Sequence, residues 1–396
     1  MAAVARLVRR GAAAATVGGG GGGGGDSGRV RVRVCVRHVA ATPRRCRDDH
    51  WYTAAYGTPC YQIPTAKDPA QTRAPDVRDA RRLALVPSVT TVLDIVNRPG
   101  IQYWRMQQYL LAVRELHERG GLLSSSQAIE PPPTALASPD ALESAAAEDA
   151  DELPAGLDEA QWRAVQALYY SKIGQAAELG SDVHALLERH LRWRYRSPRA
   201  APVPEWPAAL APMRDAVDHW LDEAVADVVH IERSFASRYG YGGKVDLVCQ
   251  LRDGRTAVCD FKTQAARRRF TLRNEWPCQL AGYAVGLGLP TAQLINICLD
   301  TVAPGTYRVH DWTADGPPGR DANARYWETF RLAFLLWCSP LGRHFDVLRD
   351  VPSAVPIPTW DEVLRHAASG LSFTVLAPEE GDAEAAAAAA AKFVAS

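Results

Sequence analysis

Between about residues 157 and 337 the hydrophobic period of the chain switches back and forth, and the switch points outline its elements. From about Leu157 to about Arg196, apolar side chains recur at three- and four-residue intervals through QWRAVQALYYSKIGQAAELGSDVHALLERHLRWRYR, which predicts one long helix stopped by Pro202, Pro204 and Pro207. A further helix over about 208–226 leads into VVHIERSFAS, whose alternation is that of a strand. KVDLVCQL and TAVCDFKT, joined by Arg252-Asp253-Gly254, predict a hairpin. A helix from about Pro277 to Gly286, the strands TAQLINICLD and TYRVHDW, and a helix from about Asn323 to Trp337 follow. Upstream, 83–118 begins LALVPSVTTVLDIVNRPGIQYW and predicts a short capped helix, a turn at Pro99-Gly100 and a second helix. This order of helices and strands is that of an α/β fold, and no internal repeat interrupts it.

Composition adds a globular chain of 396 residues, 47% hydrophobic, with 45 basic and 45 acidic side chains and a formal net charge of zero. No apolar run is long enough for a membrane span. The neutrality is a sum over unlike parts. Residues 1–47 carry ten Arg and one acid, and residues 120–160 carry nine acids and no base. The basic start runs into Gly18 to Gly25 and cannot build a core, so 1–47 is expected to be disordered. Both an organelle transit peptide and a low-complexity tail fit it, and the compartment follows: mitochondrial, or else cytoplasmic or nuclear. The stretch 119–156, with three serines, three prolines and an Ala/Asp/Glu mixture, is expected to be a disordered acidic insert, and 346–396 a C-terminal extension with an Ala-rich tail. Between them, 161–345 holds 23 basic against 19 acidic residues, so neutrality of the whole does not exclude a nucleic acid partner. The eight cysteines lack Cys-x-x-Cys pairs, which disfavours a zinc ribbon and an iron–sulfur cluster and suggests unpaired thiols.

The candidate chemistry lies in the hairpin. Asp246 on one strand is followed fourteen residues later by Asp260-Phe261-Lys262 on the other. Side chains two apart share a strand face, so a carboxylate and an ammonium emerge together while Phe261 points away. Two carboxylates from adjacent strands can bind a hard cation such as Mg²⁺ or Mn²⁺, and a neighbouring lysine can orient or deprotonate an attacking water. A surface ion pair is the plain alternative. The chain has only five lysines against 40 arginines, so lysine at 262, just before Arg267, Arg268 and Arg269, points to a need for a compact charge.

Five segments in order, Gly180-Ser-Asp-Val-His184, Glu232, Gly243-Lys-Val-Asp246, Asp260-Phe-Lys262-Thr263 and Gln279-Leu-Ala-Gly-Tyr283, resemble the motifs of RecB-like nucleases of the PD-(D/E)xK superfamily. The resemblance spans roughly 85–340. Pro87-Ser88-Val89-Thr90, Trp104 and the stretch from Phe270 to Tyr283 are most similar to mitochondrial genome maintenance exonucleases and their phage relatives. It implies a restriction-endonuclease-like core over 157–345, a central mixed sheet flanked by helices, with 83–118 as an N-terminal helical extension. It also implies His184, Asp246, Asp260 and the Phe261 carbonyl as ligands of Mg²⁺ or Mn²⁺, with Glu232 an outer or second-site ligand. Lys262 would position the water, and Gln279 and Tyr283 would hold Lys262 or a phosphate. Arg267, Arg268, Arg269 and Arg273 would bind phosphates, solvated loop residues being the alternative. The helix of Trp104 would build a passage for the strand.

The activity so implied is hydrolysis of phosphodiester bonds at single-stranded DNA ends by a monomeric exonuclease in organelle DNA replication or repair. A phage-type exonuclease, a structure-specific endonuclease and a non-catalytic DNA-binding accessory protein are the rivals. Elsewhere the residues have plainer readings: His190 and His230 lack the motif company of His184, and Tyr239 and Tyr241 are hairpin packing, stacking on bases being the alternative. Glu188 either orients His184 or is solvated. Arg192, Arg194, Arg196 and Arg199, with Trp193 and Tyr195 among them, either bind phosphates or decorate a helix end.

Overall fold

The computed structural model describes residues 50–65, 68, 70–96, 99–119, 159–197, 201–266, 269–315, 321–339 and 355–378. The expectations for 1–47 and for the acidic insert lie outside the described residues. In chain order the elements are β1 (Trp51–Thr53), β2 (Pro59–Cys60), β3 (Ile63–Pro64), β4 (Thr72–Arg73), α1 (Val77–Arg82), β5 (Leu85–Pro87), α2 (Val89–Leu93), α3 (Pro99–Glu118), α4 (Glu159–Arg196), α5 (Ala211–Ala224), β6 (Val225–Ser237), β7 (Tyr241–Leu251), β8 (Thr256–Gln264), α6 (Glu275–Gly286), β9 (Gln293–Asp300), β10 (Tyr307–Asp311), α7 (Ala322–Trp337), α8 (Trp360–Ala368) and β11 (Thr374–Leu376).

The main sheet has six strands in the order β10-β9-β8-β7-β6-β11. All neighbours are antiparallel except β8 and β9, which run parallel and are joined across the sheet by α6. Strand alternation sorts the apolar residues onto two faces. Leu247, Cys249, Ala257, Cys259, Phe261, Ile295 and Ile297 pack with Val183, Leu187 and Leu191 of α4 and Val217 and Leu221 of α5. Val245, Val248, Val258, Leu294 and Cys298 pack with α6, α7 and the N-terminal elements. The fold class is therefore the expected one, an α/β mixed sheet between helical layers. The described cysteines are free thiols, five of them buried.

Three features differ from the pattern reading. Pro99 and Gly100 do not form a turn but open α3, where a missing N–H costs nothing and the fixed φ of proline suits the first turn. The outer strand β11 comes from 374–376, beyond the 157–345 stretch, and pairs Thr374 with Ser237 of β6. A three-stranded sheet, β2-β1-β5, precedes the helices, and the Ser88 that follows it bridges to Gly242 at the start of β7. Ser88 also caps α2, its Oγ accepting from the Thr91 N–H at 2.9 Å.

Candidate metal-dependent nuclease site

The site forms where β7 and β8 part. Their ladder ends at the Leu247–Cys259 pair, and the next residues on each strand are Asp246 and Asp260. With the ladder open, the Phe261 N–H lacks a strand partner, and Asp246 Oδ2 accepts it at 2.8 Å. Asp246 and Lys244 turn toward α4, while Asp260 and Lys262 turn toward α6.

On the α6 side every polar atom is held. Lys262 Nζ lies 2.8 Å from Asp260 Oδ2 and donates to Gln279 Oε1 at 3.1 Å. Gln279 Nε2 donates to Asp260 Oδ1 at 3.1 Å and to the Tyr283 hydroxyl at 2.9 Å. Burial holds that hydroxyl far above the ordinary tyrosine range, so it stays protonated. Gly243 makes room for the ring: a Cβ there would sit 2.6 Å from Tyr283 Cε1.

Asn296, which the motif reading passed over, completes this half. It is fully buried on β9, in register with Asp260, and its Nδ2 donates to Asp260 Oδ2 at 2.8 Å and to the Asp260 carbonyl at 3.1 Å. Trp312 Nε1 donates to Asn296 Oδ1 at 2.8 Å, so the amide cannot rotate without losing a partner. Its signal was present in the sequence, as the lone amide inside the apolar run LINICL. Replacing Asn296 with Ala is expected to lower the turnover number roughly 10–100-fold while leaving KM for DNA within about twofold, as for other residues that orient a metal-site carboxylate. Steady-state kinetics on labelled DNA checks the split.

On the α4 side, His184 Nδ1 lies 3.4 Å from Asp246 Oδ2 and 3.9 Å from Glu232 Oε1, and one ligand atom from each of the three residues falls within a 4.8 Å cluster. His184 reaches the strand end because α4 passes β8 closely at Gly180, where a Cβ would lie 3.3 Å from Thr263 Oγ1. Glu232 has φ +47, a left-handed backbone inside a strand, which costs of order 1–3 kcal/mol and is tolerated mostly where function uses it. Lys244 Nζ lies 2.6 Å from Glu232 Oε2 and 3.6 Å from Glu188 Oε2.

Electrostatics follow from this crowding. Burial disfavours charge on His184, but Asp246, Glu232 and Asp260 outweigh it and raise the imidazolium to about 9. Burial pushes the Asp246 carboxyl up to about 7; His184 opposes the rise, and the charges of Asp260 and Glu232 add to it. Burial acts likewise on Glu232, but His184 and Lys244 hold it below the usual carboxylate range. An imidazole nitrogen among carboxylate oxygens, without a thiolate, is a donor set for a hard or borderline divalent ion such as Mg²⁺ or Mn²⁺.

The other expected residues fall into place around this centre. Arg273 and Lys262 flank the Trp276 ring, their charged atoms 5.9 and 5.8 Å from its centroid. Arg269 lies in the exposed loop after β8, and Arg267 and Arg268 lie outside the described residues. Trp104 is half-buried on α3. Glu188 turns to Arg192, at 2.9 Å, and to Lys244 rather than orienting the imidazole. Of the arginines at the end of α4, Arg194 pairs with Asp218 and Asp222, and Arg196 donates to the carbonyls of Val228 and Val229, so both serve the fold. His190 is a core residue, 2.9 Å from Asp218 and packed between Trp193 and Trp206. Tyr241 is buried and donates to the Gly282 carbonyl.

A hairpin offering two carboxylates and a lysine, an imidazole from a preceding helix and a Gln–Tyr pair from the following one make a group of side chains that could hold a divalent ion beside a lysine. Comparison with known families agrees: residues 159–296 match the model of the PD-(D/E)XK nuclease superfamily and form a domain of that superfamily. The matched stretch runs from the start of α4 to Asn296 on β9. It implies a nuclease that uses divalent metal ions, typically Mg²⁺ or Mn²⁺, with DNA as its substrate. No curated protein matches the chain.

Proposed function

We propose that the chain is a Mg²⁺/Mn²⁺-dependent deoxyribonuclease that digests DNA from single-stranded ends, in organelle DNA maintenance. The observation that carries the reading is the cluster of His184, Glu232 and Asp246 where β7 and β8 separate, with the Asp260–Lys262 pair on the adjoining strand. His184, Asp246, Asp260 and the Phe261 carbonyl would hold the ion, and Glu232, beside His184, would join them or hold an outer position. When bound, the ion supplies a Lewis acid for the scissile phosphate and lowers the pKa of an attacking water. Lys262 Nζ meets both Asp260 carboxylate oxygens and Gln279 Oε1, so its ammonium is held beside the carboxylate and would exchange one of these contacts for a phosphate oxygen or that water. Gln279 and Tyr283 fix the ammonium in place, and Asn296 fixes the carboxylate that Lys262 pairs with.

Single-strand preference is supported by the surface between α3 and α4, where Arg105, Tyr109, Trp162, Tyr169 and Tyr170 line a cleft of about 340 Å³. Tyr170 is 66% exposed, so a base can stack there without any rearrangement of the core. Tyr170 and His184 lie on one helix, fourteen residues or roughly 21 Å apart, a span of a few nucleotides. The organelle assignment rests on the Arg-rich, acid-poor start of the sequence.

A digestion time course on 5′- and 3′-labelled single and double strands, with Mg²⁺ or Mn²⁺, is expected to show metal-dependent loss of single strands from their ends. Substrates with both ends blocked should survive. Their cleavage would make the enzyme an endonuclease, and no cleavage of any substrate with either metal would overturn the nuclease reading.

A further inference from the structure

Lysine is rare in this chain, five residues against 40 arginines, yet two of the five stand in the site. Lys262 belongs to the motif that suggests catalysis. Lys244 has a different place: it reaches in from β7, two residues before Asp246, and meets Glu232 Oε2 at 2.6 Å and Glu188 Oε2 at 3.6 Å. Glu232 is thereby divided, Oε2 on the ammonium and Oε1 facing His184 at 3.9 Å. The left-handed backbone at Glu232 is what aims this carboxylate between the two cations, and its φ of +47 has to be maintained by such contacts.

Charge counting gives the arrangement a meaning. Glu188 is matched by Arg192, at 2.9 Å. The remaining carboxylates, Glu232, Asp246 and Asp260, face the ammoniums of Lys244 and Lys262, which leaves one net negative charge once the imidazole is neutral. One divalent ion turns that into a single positive charge, matched to the single negative charge of a phosphodiester. A second divalent ion would need the carboxylate oxygen that Lys244 holds and would lie beside a fixed positive charge.

We propose that Lys244 is the resident second cation of this site: its ammonium takes the position on Glu232 and Glu188 that a second divalent ion would otherwise claim, and the enzyme works with one metal. This rests on the metal-dependent nuclease reading and specifies its stoichiometry. Lys244 acts through Glu232 and is a positioning residue.

Calorimetric titration of the full chain with Mn²⁺ in the absence of DNA tests it. The wild type is expected to bind one ion and Lys244→Arg one ion. Lys244→Met is expected to bind two, because the Oε2 atoms of Glu232 and Glu188 lose the ammonium and become available as oxygen ligands, and the close pair should give a spin-coupled Mn²⁺ signal by electron paramagnetic resonance that the wild type lacks. Lys244→Gln is a second neutral variant should the methionine fail to fold, as judged by its thermal midpoint. Two ions in the wild type, or one ion in a folded neutral variant, overturns the inference; metal-dependent DNA cleavage by the wild type in those cases leaves the nuclease reading standing. A wild type that neither binds Mn²⁺ nor cleaves DNA overturns both.

Discussion

Asp260→Asn and Lys262→Ala are each expected to lower DNA cleavage by on the order of 10²–10³-fold or more, while DNA affinity changes only a few-fold. The size follows from removing a preorganised charge from a site largely closed to water, where charged groups act on developing charge with little screening. The direction of the split follows from geometry. Asp260 is 3% exposed and held by Asn296, Gln279 and Lys262, so it offers little to DNA at a distance but much to the reacting centre. Lys262→Arg is not expected to restore the rate, because a planar guanidinium cannot occupy the place of an ammonium between Asp260, Gln279 and the Trp276 ring. Arg194→Ala is the matched control: its partners are Asp218 and Asp222, so stability falls slightly and cleavage does not. Single-turnover rates with saturating enzyme, together with binding measured in chelator, separate chemistry from affinity. Cleavage by Asp260→Asn at the wild-type rate would remove this carboxylate from the mechanism.

Much of this site is legible in the chain because its chemistry is local. Asp260 and Lys262 are two apart on a strand, Gln279 and Tyr283 are one helical turn apart, and Gly180 and His184 are likewise, so spacing alone puts each pair on one face. The long elements are legible for a related reason: α4 and β6 to β9 each sustain one hydrophobic period over several residues. What escapes is whatever tertiary pairing decides. β11 and the strands of the N-terminal sheet are two or three residues long and exist through partners far away in sequence, such as Ser237 for Thr374. The left-handed backbone of Glu232 leaves no mark on the alternation of VVHIERSFAS, and without it the full approach of Glu232 to His184 cannot be foreseen. Asn296 and Lys244 acquire roles only when β9 lies beside β8 and when α4 brings Glu188 over β7. Both are nonetheless the odd residue in their surroundings, an amide in an apolar strand and a lysine in an arginine-using chain.

Binding of Mn²⁺ at pH 7 is expected to release between about one and two protons per ion, and the affinity is expected to rise between pH 6 and 8. The sign comes from the two raised groups. His184 is lifted from its ordinary 6.5 to about 9, so its protonated form stabilises the metal-free fold fully below about 6.5, and that contribution is lost as pH climbs toward 9. Asp246 is lifted from 3.8 to about 7, so the folded chain retains a proton that the unfolded chain has already released, and stability again falls as pH rises through this window. Both therefore weaken the metal-free protein from pH 6 to 8, because the protons leave a buried carboxyl and an imidazolium that neutralises the neighbouring carboxylates. A divalent ion replaces those protons with a larger charge at the same place, so the gain in thermal midpoint on adding Mn²⁺ should grow over the same range. Titrations at one pH in two buffers of different ionisation enthalpy count the protons directly. His184→Gln should remove the imidazole's share of the release while Asp246, no longer opposed by the imidazolium, still gives up its own proton, and it should leave the fold intact, since the imidazole is one-third exposed and packs little of the core. Equal heats in both buffers would show that the ion does not displace protons from this cluster, and the assignment of His184 and Asp246 as its ligands would fall with them.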